Sequence, residues 1–292
     1  MTSNNIALVT GATRGAGKGI AIGLAEKGMT VYVTGRSTQV GTAFGWDGTA
    51  LPGSVQDTVD EINAAGGTGI GVVCDHANDA EVEALFKRIE EEQGKLDILV
   101  NNAAYIHHQL IEQKPFWEKE IEAMNILDVG LRSAYVASWF AAKMMVAAGK
   151  GLIVFGSSFG ASCYMHGPAY GAQKAGLDKF AHDMAVDLRP FNVQAVSIWM
   201  GPLLTERALI AAEVHPEQYT EFMAMAETPQ FTGHIIDAIA NDPKADEVSG
   251  HTLVGAEVAR DRYNLKDRNG KQPPSHRDML GSPNKPNPAI VY

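Results

Sequence analysis

Short apolar, β-branched runs alternate with helix-length stretches along most of the chain, and this rhythm limits its fold more than any other feature. Ile6 to Thr10 reads as a strand, with a helical pattern from Gly15 to Lys27 behind it. Thr30 to Thr34, Gly69 to Cys74, Leu96 to Val100, Leu152 to Phe155, Gln194 to Ile198 and Thr252 to Val254 read as further strands. Glu81 to Gln93 carries a helical pattern between two of them. Strands this apolar, separated by helices, imply a parallel sheet covered on both faces. The expected fold is therefore α/β, a Rossmann-type doubly wound parallel sheet of about seven strands in a single domain. Ligands of such a sheet bind beyond the carboxyl ends of the strands.

Three stretches break the rhythm. Ser37 to Gly53 is glycine-rich and reads as a long loop after the second strand. Gly201 to Phe231 is rich in Met, Phe and Ala and reads as a lid. From Ala256 onward prolines accumulate, at Pro273, Pro274, Pro283, Pro286 and Pro288. We take residues 1–255 as the nucleotide-binding domain, including a lid over about 201–231. Residues 256–292 are then an extension too short for its own core, lying on this subunit or a neighbour.

With 45% hydrophobic and 20% charged residues the composition is that of a globular domain. The net charge of −10 argues against a nucleic-acid partner, which requires a basic face. Neither a leader-like N-terminus nor an apolar run of membrane-spanning length is present, so a cytoplasmic location and no membrane partner are expected. Cys74 and Cys163, with no CxxC pair, are expected to be buried free thiols.

The first strand ends in Thr10-Gly11-Ala12-Thr13-Arg14-Gly15-Ala16-Gly17. Gly11 permits a tight turn, Gly15 lets backbone approach a pyrophosphate, and Gly17 lets the following helix pack close to the sheet. Free N–H groups at the helix start face the anion. Gly11, Thr13, Arg14, Gly15, Ala16 and Gly17 are accordingly assigned to cofactor binding. An NAD site places an acid at the end of the second strand, whereas this chain has Thr34-Gly35-Arg36-Ser37. Arg36 and Ser37, with Arg14 nearby, suit a 2′-phosphate, so the expected cofactor is NADP(H).

Tyr170 and Lys174 lie four apart at the start of a helix (Tyr170 to Leu188) and share a face. A nearby ammonium is expected to lower the phenol's pKa. Ser157, thirteen residues before Tyr170, follows the fifth strand and can polarise a carbonyl beside the phenol; Ser158 is the alternative. Ser157, Tyr170 and Lys174 form the expected catalytic set, with Tyr170 and Lys174 also touching the cofactor.

Taken together, the glycine turn, Asn101-Asn102-Ala103-Ala104 and Ser157/Tyr170/Lys174 resemble the short-chain dehydrogenase/reductase family over about residues 5 to 255. Val129 to Ser133, Tyr164 to Lys174 and Ala259 to Tyr263 further resemble the subgroup called dehydrogenase/reductase member 1. The resemblance implies hydride transfer between a nicotinamide and a carbonyl carbon, with Tyr170 as proton donor. It implies that Asp75 contacts the adenine, that Asn102 and Ala103 line the adenosine side, and that Thr205 binds the carboxamide. The family's catalytic asparagine, three positions before a glycine, is here Leu127. Either a helix irregularity brings Asn125 into place, or the relay runs otherwise; Asp128 is also near. The usual Pro-Gly after the sixth strand is Met200-Gly201-Pro202.

On the substrate side, Tyr105 to Gln109, Phe159 to His166, Trp199, Met200 and the lid (with Phe222, Met223 and Met225) suggest a hydrophobic ketone or aldehyde. The alternative is that half of these residues pack the lid on the core. His107, His108 and His166 have no Asp, Glu or Cys partner at metal-ligand spacing, so no metal is expected. A catalytically idle NADP-binding protein, or an enone or ring reductase, are the competing functions. Apolar positions around Trp139-Phe140 and Met144-Met145 suggest a homodimer or homotetramer.

Overall fold

The computed structural model describes residues 5–39, 44, 48–214, 216–268 and 270–291. In chain order the elements begin with β1 (Ile6–Val9), α1 (Gly15–Ala25), β2 (Thr30–Gly35), α2 (Val55–Ala64), β3 (Thr68–Val73) and α3 (Asp79–Gln93). There follow β4 (Ile98–Asn101), α4 (Ser133–Ala148), β5 (Gly151–Ser157), α5 (Pro168–Leu188) and β6 (Val193–Trp199). The chain closes with α6 (Glu206–Val214), α7 (Pro216–Met225), α8 (Pro229–Ala240), β7 (Thr252–Val254), α9 (Gly255–Asp261) and the short α10 (Arg277–Leu280). The strands form one parallel sheet in the order β3-β2-β1-β4-β5-β6-β7. Each strand read from the sequence is present, with ends displaced by at most two residues. Of the expected loop at 37–53, residues 40–43 and 45–47 lie outside the described residues.

Strand residues alternate between two apolar layers, as the pleat requires. Ala7, Val9, Ile98, Val100, Leu152 and Val154 face α1, α2 and α8. Ile6, Leu8, Leu99, Ile153 and Phe155 face α3, α4 and α5. At the amino-terminal foot of the sheet, buried Asp97 accepts the Ile6 N–H (2.9 Å) and pairs with Lys95 and Lys150, each at 2.8 Å. Burial works to raise its pKa, but the two ammonium groups outweigh it and hold the carboxyl below its usual range.

Phe231, read as part of the lid, is instead fully buried in α8 against the core. The helices of the segment expected to form a lid are then α6 and α7. Beyond Ala256, a stretch around Asp267, Arg268 and Arg277 to Leu280 lies on this subunit as a strap. Asp267 accepts the Thr228 N–H (2.7 Å) and the Thr228 hydroxyl (2.5 Å), Arg268 pairs with Glu26 at the end of α1, and Arg277 pairs with Glu257 of α9 at 2.5 Å. Cys74 is buried and Cys163 half-buried, both free. Burial pushes the Cys74 thiol up to about 12, which makes it unreactive. Among the described residues no helix is long and apolar enough to cross a membrane.

Glu227 sits where the lid returns to the core, its backbone N–H on Pro202 O (2.9 Å) and its carbonyl accepting from Leu204 N–H (3.0 Å). Burial pushes its carboxyl from 4.5 up to about 8, although the Gly201 N–H opposes the shift. Between these two values the folded chain holds a proton that the unfolded chain has released. This contribution is complete below about pH 4.5 and is lost as the pH rises towards 8. Glu227→Gln should therefore melt higher than the parent at pH 8 and no higher at pH 5. Parallel melting curves across that range would place the titration elsewhere.

Candidate active site

At the carboxyl ends of β1 and β4 the sheet reverses its winding, which opens a crevice there. A cross-strand clamp shapes it. The Thr10 hydroxyl accepts from the N–H groups of Asn102 and Ala103, both at 3.0 Å. Asn102 Nδ2 donates to the carbonyls of Thr10 (2.9 Å) and Gly11 (3.0 Å). A Cβ on Gly17 would lie 2.3 Å from that Nδ2 and 2.5 Å from Gly11 O, so only glycine fits beneath the clamp.

A cleft of about 750 Å³ opens above the turn. Its wall includes Gly11, Thr13, Arg14, Gly15, Ala16, Gly17, Arg36, Ser37, Asp75, Asn102, Ala103, Tyr170, Lys174 and Thr205. All fourteen residues marked for a cofactor in the sequence thus share one surface, although their separation along the chain approaches two hundred residues. Sequence reasoning missed His76, Gln173, Glu206 and Arg207 on the same wall. His76 is buried against the Thr34 hydroxyl (2.7 Å), and burial drops its pKa to about 4, leaving it neutral. Its only signal was its position after Asp75.

At the end of β2, Arg36 projects into solvent with a guanidinium nitrogen 4.0 Å from Asp75. Arg14 behaves differently from expectation. Its guanidinium bonds Pro52 O (3.0 Å), Gly53 O (2.6 Å) and the Ser37 hydroxyl (3.0 Å), stapling the 52–53 loop over the turn. Asn102 likewise works as the clamp. The Thr205 hydroxyl accepts from Ala208 N–H (3.2 Å) and so caps α6.

The two neighbouring serines take opposite directions. Ser157 is the last residue of β5, fully buried, and its hydroxyl donates to Lys174 O at 3.2 Å. Ser158, also extended, points the other way and brings Oγ to 3.0 Å from the Tyr170 hydroxyl. The expected catalytic set is corrected accordingly: Ser158, rather than Ser157, stands beside Tyr170 and Lys174. Asp178, one turn beyond Lys174, accepts from Ser197 (2.6 Å) and Trp199 Nε1 (2.9 Å), fixing α5 to β6.

Lys174 Nζ donates to Gly156 O (3.0 Å) and lies 5.4 Å from the Tyr170 ring centroid. Burial lowers the ammonium to about 8, with Asp178 opposing. Tyr170 does not show the expected depression. Burial raises its pKa, with only the Ser158 hydrogen bond pulling it down, because the ammonium faces a carbonyl and not the phenol oxygen.

Ahead of α4 the backbone is irregular, as the missing asparagine suggested. Val129 (φ −103°, ψ 93°) and Gly130 (φ 145°, ψ −39°) depart from helical geometry. The irregularity does not bring Asn125 to Tyr170. Asn125 and Asp128 line a neighbouring cavity with Arg36, Asp79 and Arg132. Phe159 and Trp199 also leave the expected pocket lining. Their rings meet in a tilted contact, centroids 4.9 Å apart, in a buried cluster against which Leu280 of the strap packs. Met200 does reach the cleft.

His107 and His108 do have an acidic partner after all: Glu120 lies 3.2 Å and 3.6 Å from their Nε2 atoms. His107 Nδ1 accepts the Gln109 N–H (3.2 Å), so its ring proton sits on Nε2 facing the carboxylate. That tautomer donates a hydrogen bond to Glu120 and offers no lone pair to an ion.

Comparison with known proteins fits this arrangement. The short chain dehydrogenase family model matches residues 5–213. The chain belongs to the short-chain dehydrogenase/reductase family. Its sequence is 39% identical over 278 residues to mouse (Mus musculus) dehydrogenase/reductase SDR family member 1, covering 91% of this chain and 84% of the mouse protein. The human (Homo sapiens) counterpart is 37% identical over 281 residues, covering 92% and 85%. Among solved structures, a short-chain type dehydrogenase/reductase from Mycobacterium marinum shares the fold, with a TM-score of 0.68 at 23% identity, covering 86% of this chain and 93% of that one. Family members use a nicotinamide cofactor and act on small molecules, so the chain is an oxidoreductase of this type.

The Ser158–Tyr170 bond gives a direct test. Ser158→Ala should raise the Tyr170 pKa further, followed by NMR titration of labelled tyrosine rings against a Tyr170→Phe reference. An unchanged titration would remove Ser158 from contact with the phenol.

Proposed function

We propose that the protein is an NADPH-dependent reductase of ketones or aldehydes, running the reverse alcohol oxidation with NADP. The observation that carries this reading is the pairing of Tyr170 with Ser158 at one end of the cleft that has the glycine turn at its other end. The residues present suit a dinucleotide. The start of α1 has no cap from its own N-cap side chain and no acid in its first turn, so its N–H groups can receive an anion from elsewhere. Arg36 and Ser37 at the end of β2 favour the 2′-phosphate over a ribose hydroxyl.

A bound NADPH would supply the hydride. The chain's own work is proton handling and orientation. Tyr170 Oη donates its proton to the carbonyl oxygen as that oxygen becomes an alcohol. The Ser158 hydroxyl is a second donor for the same oxygen and fixes its position. Lys174 stays charged below about pH 8 and is held on Gly156 O, 5.4 Å from the ring centroid; a shift of Nζ from that carbonyl to the phenol oxygen would favour the phenolate left behind. Burial excludes water from this end of the cleft, which strengthens each of these interactions. With Phe159 and Trp199 withdrawn into the core, Met200, Ile106, Ile126 and Val129 remain as the apolar wall for the substrate. This wall favours an uncharged carbonyl compound over a small charged one.

Cofactor titration and turnover measured together test the proposal. NADPH should bind more tightly than NADH, and Arg36→Glu should reverse the order. Tyr170→Phe and Ser158→Ala should each lower turnover of a carbonyl panel by roughly a hundredfold or more, whereas Ser157→Ala should stay within about tenfold. A preference for NADH, or turnover indifferent to Tyr170→Phe, would overturn it.

A further inference from the structure

The start of α1 already holds an anion, and this chain supplies it. Glu206, the first residue of α6, places Oε2 2.8 Å from the Gly15 N–H. Its Oε1 lies 2.6 Å from Lys18 Nζ, which also reaches Glu61 at 3.0 Å. Burial works to raise the Glu206 pKa, but Lys18 and the Gly15 N–H outweigh it, so the group is a carboxylate at neutral pH. Gly15 is in the left-handed region (φ 59°), which exposes its N–H to the cleft, and the Thr205 methyl lies 3.7 Å from where its Cβ would be. Arg14 adds positive potential from the other side of the turn. A backbone N–H at a helix start, an ammonium and a guanidinium suit a carboxylate and a diphosphate equally well.

We infer that Glu206 is an intramolecular competitor for the cofactor's diphosphate, so that cofactor affinity is set by how readily α6 gives up its hold on Gly15. The inference rests on the dinucleotide reading of the cleft. Two anions cannot share one N–H and one helix terminus, so the carboxylate leaves when the diphosphate arrives. α6 is suited to moving, because it has no fully buried side chain. Besides the Glu206 contacts its first turn has the Thr205 cap, and the segment is anchored behind it by the backbone pairing of Leu204 with Glu227. The charge at residue 206 then acts on binding of every diphosphate nucleotide alike. It does not discriminate between NADPH and NADH, which is the task of Arg36.

The test is nucleotide affinity by fluorescence titration for the parent, Glu206→Gln and Glu206→Ala, with inorganic pyrophosphate as a second probe. Both variants should bind NADPH and NADH about tenfold more tightly, with the ratio between the two nucleotides unchanged. In the parent, NADPH should increase hydrogen exchange across residues 206–214, a change absent from Glu206→Gln. The exchange change in the parent is itself informative even if a variant fails to fold. Equal or weaker NADPH binding by the variants, without the exchange change in the parent, would overturn the competitor role and leave the reductase reading standing. Tighter pyrophosphate binding by the variants, with no binding of either nicotinamide nucleotide, would support the competitor and sink the reductase reading. If no protein bound any probe, both would fall.

Discussion

The hydrogen bonds that join β1 to β4 at their carboxyl ends govern the rest of the site. Four hydrogen bonds gather there: the Thr10 hydroxyl accepts from the N–H groups of Asn102 and Ala103, and the Asn102 carboxamide donates to the carbonyls of Thr10 and Gly11. They lock the glycine turn against the next strand in the sheet at the point where the winding reverses. Without that lock the turn's backbone would be free to close over its own N–H groups. With it, the start of α1 is presented to the cleft, and Gly17 is pinned where no side chain would fit. The same arrangement sends the chain after β4 towards the phenol end, so one clamp sets both the binding and the reacting ends of the crevice.

At the reacting end, burial is the dominant physical effect. It raises the phenol of Tyr170, lowers the ammonium of Lys174 and raises the carboxyl of Asp178, each towards its neutral form. Hydrogen bonds then decide how far each shift goes. At Asp178 the hydrogen bonds from Ser197 and Trp199 and the charge of Lys174 oppose the rise. Ser158 is the single group that pulls Tyr170 back. The raised phenol keeps Tyr170 protonated at neutral pH, the form a proton donor to a substrate oxygen requires.

Much of this was legible in the chain. The alternation of apolar runs gave the strands and their order of appearance, and the glycine spacing located the turn. The clearest misreading was a consequence of strand geometry. Counting thirteen residues back from Tyr170 selects Ser157, but successive extended residues face opposite sides of a sheet. The pleat therefore turns Ser157 inward to Lys174 O and Ser158 outward to the phenol. The fate of Phe159 and Trp199 depended on the strap, whose Leu280 packs against their cluster; nothing local in either segment signals that. Glu206 was out of reach for a similar reason, since its contact with Gly15 joins positions 191 residues apart. A helix-opening acid normally reads as complementing its own helix's dipole, and here it serves another helix's end.

The Asp97 cluster at the foot of the sheet has a practical consequence. One buried carboxylate gathers an N–H from β1 and two ammonium groups, and it does so at the far end of the strands from the cleft. Anchoring and chemistry therefore occupy opposite ends of the same strands. An engineer seeking a hardier catalyst can work on the foot without disturbing the reaction. One seeking a new substrate range can redraw the loops above while the lower end keeps the strands in register.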